Sequence, residues 1–453
     1  MEEARPVTHP ATPHPVTHRA VLRLAGPIVL SNISTPLLGL ADMVVIGRIP
    51  NPAALGAIAL GATIFNFVYW GFGFLRMGTT GLTAQAMGAR DAEEVSANLG
   101  RALIVAAVIG FCLIALQWPI AFIAFALLKG SAEVQAMAHD FFAIRIWSAP
   151  FTLANFALLG WFIGRQKANT ALVLQVFMNG LNIALNVTFV AGFGWAVKGV
   201  AAGTLIAEIA AACLGAALAW RDLKGIGWTG RWARARLLDP VRLARMIAVN
   251  RDIMLRTFCL IFAFAFFTAQ GARAGDVTLA ANAVLGQFIA LAAFLLDAFC
   301  SATEALVGEA VGARNQRTLE RAVRLASIWA GGVALALSVF TFFAGPALID
   351  ALTASPEVRV AARIYLPWAA LIPIVAVWCF LLDGIFIGAT RTAEMRNAMA
   401  VALPIFLVAW WFLAAAYGNH GLWAALTIFY VARAVMLLPF YGAVRRVTLS
   451  PYR

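Results

Sequence analysis

Asp42 stands in "SNISTPLLGLADMVVIGR", Ser31 to Arg48, a run that is otherwise apolar and long enough to cross a bilayer. A carboxylate inside a span is costly unless it is paired, wetted or protonated, and such residues ordinarily face a cavity and handle ions. The chemistry that suits Asp42 is proton exchange or cation binding. It lies about six residues from the outer end of its helix, or roughly 9 Å at 1.5 Å per residue. From that depth the short Asp side chain reaches the interface poorly, which favours a working role over a snorkelling one.

Other polar residues reach the same depth. "NGLNIALN" carries Asn179, Asn182 and Asn186, and the last two, four apart, share a helix face. Thr204 falls about seven residues into the helix that returns. Asp42, Asn182, Asn186 and Thr204 therefore form a candidate ion-coupling and substrate site in the outer half of the first lobe, with ordinary interhelical hydrogen bonding as the alternative for the amides. The second half offers Asp297, Glu304 and Asp383. Glu304 follows Asp297 by seven residues and shares its face, and Arg256 and Arg145 are possible countercharges. Structural salt bridges explain these acids equally well, because buried charges need partners whatever the function. Arg76 and Glu208 read as structural. Pro27 and Pro36 lie on the helix of Asp42, where each removes a backbone hydrogen bond and can bend the chain.

The elements that position these residues must live in lipid. Of 453 residues 62% are hydrophobic and 12% charged, against about half and a quarter in soluble domains. Apolar runs recur at the length a spanning helix needs, and runs such as "ALIVAAVIGFCLIAL" lack the alternation of a barrel strand. The net charge of +13 is scattered over short loops, so membrane topology accounts for it better than nucleic acid does. Cys112, Cys213, Cys259, Cys300 and Cys379 stand alone in apolar runs, which predicts neither disulfides nor a metal site. No cofactor motif is present: there is no phosphate loop, no HExxH and no paired-aspartate loop. "GFGFLR" at 71–76 departs from a dinucleotide loop at Arg76 and reads as small-residue helix packing.

The pattern predicts an all-α integral membrane protein of about twelve spans, near 24–47, 54–79, 99–128, 137–163, 169–191, 197–219, 253–275, 279–310, 322–352, 361–388, 397–417 and 422–444. Arg and Lys concentrate in the loops that are inner if both termini are cytoplasmic, as at Arg90, Arg165, Lys167, Arg314, Arg317 and Arg321. "MGARD" at 87–91 answers "VGARN" at 311–315, and "GWFIG" at 160–164 answers "GIFIG" at 384–388, both at an offset of 224 residues. The chain therefore divides into a Pro-, Thr- and His-rich cytoplasmic tail (1–20, with His9, His14 and His18), a six-helix lobe (21–219), a basic cytoplasmic linker (220–251) and a second six-helix lobe (252–453). An even number of spans per half makes the repeats parallel. That is the architecture of a transporter that rocks one lobe against the other.

Taken with "LSNISTPLLGLADMVVIGR", "FLRMGTTGLTAQAMGARD", "RIWSAPFTLANFALLGWFIGRQ", "NRDIMLR" and "LLDGIFIGATRTAEMRNAM", the chain resembles the DinF subfamily of multidrug and toxic compound extrusion (MATE) transporters over nearly its whole length. The resemblance implies two six-helix lobes around a central cavity and export of organic compounds driven by H+ or Na+. It implies that Asp42 is the family's acid on helix 1, that Asn182 and Thr204 belong to its polar cluster, and that Pro27 is its bending proline. One position departs: many relatives read "NIxLD" where this chain reads "NIALN". An amide at Asn186 ligates and hydrogen-bonds but does not titrate, which favours H+ over Na+ coupling. The expectation is a monomeric H+-driven multidrug antiporter of the inner (plasma) membrane, taking small organic substrates and no nucleic acid. A lipid-linked glycan flippase would need a cationic cavity, for which Arg76, Arg145 and Arg256 are the visible candidates. A membrane enzyme would need clustered acids or histidines near an interface, and His139 and His420 are isolated.

Overall fold

A computed structural model describes residues 16–47, 51–128, 130–226, 228, 230, 232 and 234–448; the side chains of 35–46 fall outside that description. Asp42 and Pro36 thus have backbone positions on the first helix only, and His9 and His14 of the expected tail lie outside the described residues. Seventeen α-helices follow one another among the described residues. They are α1 (His18–Ile46), α2 (Pro52–Trp70), α3 (Phe74–Gly88), α4 (Ala92–Ala115), α5 (Gln117–Leu127), α6 (Ala132–Arg145), α7 (Ala149–Gly164), α8 (Ala168–Val187) and α9 (Ala196–Gly225). After them come α10 (Arg234–Leu237), α11 (Pro240–Arg273), α12 (Asp276–Gly312), α13 (Gln316–Leu352), α14 (Pro356–Gly388), α15 (Thr392–Tyr417), α16 (Asn419–Leu437) and α17 (Tyr441–Val447). Among the described residues 11 helical segments are long and apolar enough to cross a membrane, and α1, with 29 residues, has the length for another. The fold is all-helical and multi-pass, as the sequence predicts. Phe122, Phe343, Leu127 and Trp118 are each more than 70% exposed, an outward apolar surface that suits lipid and not water.

Three predicted spans are interrupted. "GFG" at 71–73 is a turn between α2 and α3 and not the helix packing expected of it, because two glycines in three residues favour a break. Pro119 sits in the first turn of α5 and Pro150 in the first turn of α7, where a missing amide costs nothing, so new helices begin beside them. α1 starts at His18, inside the segment read as tail, and Trp329 Nε1 donates to His18 Nδ1 at 3.1 Å. α1 continues through both Pro27 and Pro36 without a break.

The 224-residue repeat is one structure built twice. Arg90 and Arg314 both take left-handed backbone angles, at φ 57° and 52°, as do Gln166 and Thr390, at 57° and 53°. Asp91 then caps α4 by accepting from the Glu94 amide, and Asn315 caps α13 by accepting from the Thr318 amide, each at 3.0 Å. That explains the final D/N of the motif, since both residues are strong N-caps. The glycines repeat too. A Cβ on Gly160 would lie 2.2 Å from Arg76 O, and one on Gly384 would lie 2.5 Å from Cys300 O. A Cβ on Gly164 would lie 2.6 Å from Thr80 O, and one on Gly388 the same distance from Glu304 O. Each pair of positions is related by 224, so α7 packs on α3 as α14 packs on α12.

The two halves meet closely at the end that carries these turns. A Cβ on Gly88 would fall 2.0 Å from Glu309 O, and one on Gly312 2.0 Å from Gln85 O. Gln85 Nε2 donates to Gly388 O at 2.9 Å, and Gln166 donates to the Glu309 carboxylate.

The expected linker is helical over much of its length, with α9 running to Gly225 and α11 starting at Pro240 behind its Asp239 cap. Two of its basic residues, Arg236 and Arg242, are ion-paired to the start of α4, which also carries Arg101. Arg236 meets Asp91 at 2.7 Å and Glu93 at 2.9 Å, while Arg242 and Arg101 both meet Glu94. Burial opposes the Asp91 charge, but the Glu94 amide and the Arg236 guanidinium outweigh it and hold the carboxyl below its ordinary range. A depressed value adds stability above the unfolded pKa and loses it as pH falls through the folded one. Asp91→Asn keeps the cap and removes the charge. Its melting temperature should therefore fall below that of the wild type at pH 7, and the gap should close on acidification below about pH 4.

Candidate ion-coupling site

α8 presents Asn179, Asn182 and Asn186 along one face, all buried. Asn186 Nδ2 donates to Asn182 Oδ1 at 2.9 Å, Asn182 Nδ2 donates to Thr204 Oγ1 at 2.9 Å, and Thr204 Oγ1 donates to Val200 O at 2.8 Å. The result is a directed chain of neutral hydrogen bonds from α8 into α9. Gly203 makes it possible, because a Cβ there would lie 2.3 Å from Asn186 Oδ1. The sequence reading passed over Gly203; its one visible signal is a glycine beside Thr204.

α1 is tied to the same face. Asn179 Nδ2 donates to Ser34 Oγ at 2.9 Å. A cavity of about 160 Å³ is lined by Ile28, Ser31 and Asn32 of α1 together with Ala168, Ala171 and Gln175 of α8, so the two helices run in the same direction. Eight residues beyond Ser34 on α1 is Asp42, and seven beyond Asn179 on α8 is Asn186. At equal rise per residue these two backbone positions come level. The structure thus brings Asn182, Asn186 and Thr204 together and sets the Asp42 turn of α1 at their height. The Asp42 side chain is outside the described residues.

The second-half acids do not form one site. Asp297 of α12 pairs across the two halves with Arg76 of α3 at 3.1 Å, and Arg76 also donates to Ser301 Oγ at 2.7 Å. Asn32 of α1 donates to Phe294 O at 2.8 Å beside them. Asp383 lies between two guanidiniums, Arg256 of α11 and Arg433 of α16, the latter at 2.8 Å. A carboxylate already matched by two cations offers a further cation no net charge. Arg256 thus has an acid partner in Asp383, but Arg145 turns to Glu208 at 2.9 Å, and Thr152 donates to the same carboxylate. Removing one member of a buried ion cluster leaves uncompensated charge at a cost of about 3–5 kcal/mol. Asp383→Ala, which strands two arginines, should show that loss as a marked fall in melting temperature in detergent.

Two parallel helical repeats that meet at one end, with a buried polar chain in the first, define a membrane transporter fold. The sequence pattern of the MatE family matches residues 27–188 and 253–412, whose ends stand 224 residues apart. The chain is 42% identical to DNA damage-inducible protein F of Escherichia coli K12 over 424 residues, covering 92% of this chain and 91% of that one. It is 28% identical to the probable multidrug resistance protein NorM of Deinococcus radiodurans, covering 90% and 91%. In three dimensions it superposes with a TM-score of 0.84 and 21% identity on the outward-facing conformation of a multidrug resistance MATE transporter, over 96% of this chain and 97% of that chain. The protein belongs to the MATE family of membrane transporters and is not an enzyme.

Proposed function

We propose that this protein exports amphipathic organic compounds, cationic ones among them, in exchange for protons across the inner (plasma) membrane, with both termini cytoplasmic and Asp42 as the main proton site. One observation carries the reading: the described residues of the first-lobe site, Asn182, Asn186 and Thr204, form a neutral hydrogen-bonded chain level with the Asp42 turn of α1. Charge at that level comes from the one acid on α1, and a lone carboxylate among amides suits a proton better than Na+, which gathers several charged or carbonyl oxygens. Names of relatives add support for the substrate class, since a NorM homologue and a superposable MATE structure are described as multidrug resistance proteins.

In this mechanism the outward-facing state takes up a proton on Asp42, which removes its charge. α1 repacks about Pro27, the substrate leaves outward, and the proton passes to the cytoplasm as the lobes rock. The geometry favours the flippase alternative less, because Arg76 pairs with Asp297, Arg145 pairs with Glu208, and Arg256 shares Asp383 with Arg433. Proteoliposomes loaded with a fluorescent organic cation test the proposal. Gly203→Leu, which drives a side chain into the Asn186 contact, should lower export at least several-fold while leaving the protein monodisperse. Unchanged export would remove the polar chain from the mechanism.

A further inference from the structure

Glu304 lies in the seam where the two halves meet. On α12, Asp297, Ser301, Glu304, Gly308 and Gly312 follow at spacings of three and four, the stripe a helix turns to one neighbour. That neighbour is α3. Asp297 and Ser301 take Arg76, a Cβ on Gly308 would lie 2.6 Å from Ala84 Cβ, and Gly312 abuts the Gln85 carbonyl. Glu304 is 0% exposed and lies between these contacts. Among the described residues its Oε1 has one donor, Cys300 Sγ at 3.8 Å, and its Oε2 has no hydrogen-bond partner. The charged groups that face it are Arg76 from α3, already engaged by Asp297, then Asp297 on its own helix, and Asp383 from α14. None of the ion pairs among the described residues includes Glu304.

The repeat shows what belongs at this place. Position 304 corresponds to Thr80, whose hydroxyl is a donor shared between Arg76 O of its own helix at 2.9 Å and Gly160 O of α7 at 3.1 Å. The second half has a carboxyl where the first has a hydroxyl donor. A carboxylate only accepts, whereas a protonated carboxyl also donates, and a fully buried carboxylate lacking a cation partner is costly.

From this geometry we infer that Glu304 is a second proton-carrying group of the transport cycle. It holds a proton while the halves are closed at the end of the Gly88 and Gly312 turns, and gives it to water when that seam opens. The step is a simple ionisation: the O–H bond of the carboxyl breaks, its electron pair stays on Glu304, and the proton leaves to the side on which the seam opens. The inference deepens the proton-coupled reading and rests on it for its role in transport, but the protonation itself is testable alone.

The test uses the full chain in nanodiscs and proteoliposomes with Glu304→Gln, Glu304→Thr and Asp42→Asn. Glu304→Thr places in the second half the residue the first half holds at the same position, which guards against misfolding. Infrared spectra at neutral pH should contain a protonated carboxyl C=O band that disappears in both Glu304 variants and persists in Asp42→Asn. Both Glu304 variants should also lose at least tenfold in export driven by a pH gradient, and their rate should depend less steeply on pH. A band that survives both Glu304 substitutions, or export with an unchanged pH dependence, overturns the inference. Should Glu304→Gln be silent while Asp42→Asn abolishes export, Asp42 stands and Glu304 does not. The opposite pattern keeps Glu304 and removes Asp42.

Discussion

Gly312→Val should yield a folded, monodisperse protein that exports no more substrate than empty liposomes do. The position has no room for a side chain, since a Cβ there would lie 2.0 Å from the Gln85 carbonyl on the facing half. Backbone cannot give way as a flexible side chain can, so closure at this end is blocked by a hard contact. Each half still packs internally, because the clash lies between α12 and α3 and not within either. A transporter that cannot close one end cannot alternate, and the effect should be close to total. Gly88→Val, its counterpart 224 residues earlier, should do the same through Glu309 O, also at 2.0 Å. Gly332→Ala is the control. Nothing lies within 4 Å of a Cβ there, and Gly to Ala within a helix is neutral or stabilising by about 0.5–1 kcal/mol. Full export by Gly312→Val would show that the seam is not part of the cycle.

Asp42→Asn should remove export driven by a pH gradient while sparing substrate binding. The substitution keeps size and hydrogen bonding and deletes the titrating group, so it separates proton exchange from packing. At the level of the neutral chain Asn186, Asn182, Thr204 it deletes the charge that the proposed mechanism switches. Binding of a fluorescent cation to purified protein, compared with its export from proteoliposomes, distinguishes the two roles. Loss of export with retained binding is the expected pair of results; loss of both would make Asp42 a substrate contact instead.

Much of this was legible in the sequence because membrane insertion imposes a strong, local code. Span length, the polar row of α8 and the paired motifs are all read at short range, and the row Asn179, Asn182, Asn186 lies on one buried face as its spacing requires. The equal offset of "MGARD" and "VGARN" was legible as repetition, but not as geometry. That the Arg takes a left-handed angle, that Asp or Asn caps the next helix and that Gly admits the facing backbone emerge only when α3 and α12 are set side by side. Charge pairing was the least legible. Arg433 never stood out, although it shares Asp383 with Arg256, because these three residues come from α16, α14 and α11 and no spacing rule links helices so far apart. Arg76 read as structural, but its partner, Asp297 across the seam, was hidden for the same reason. The basic stretch 220–251 read as a loop linking the halves because its charges mask a helical pattern that ion pairs of Arg236 and Arg242 with α4 stabilise.

The central claim is that protons drive export, and imposed gradients test it most directly. Wild-type proteoliposomes carrying a fluorescent organic cation should respond to a pH gradient at zero Na+ and show no response to an Na+ gradient at uniform pH. Transport that follows Na+ and ignores the pH gradient would contradict the account and return Asn186 and Asp42 to the role of cation ligands.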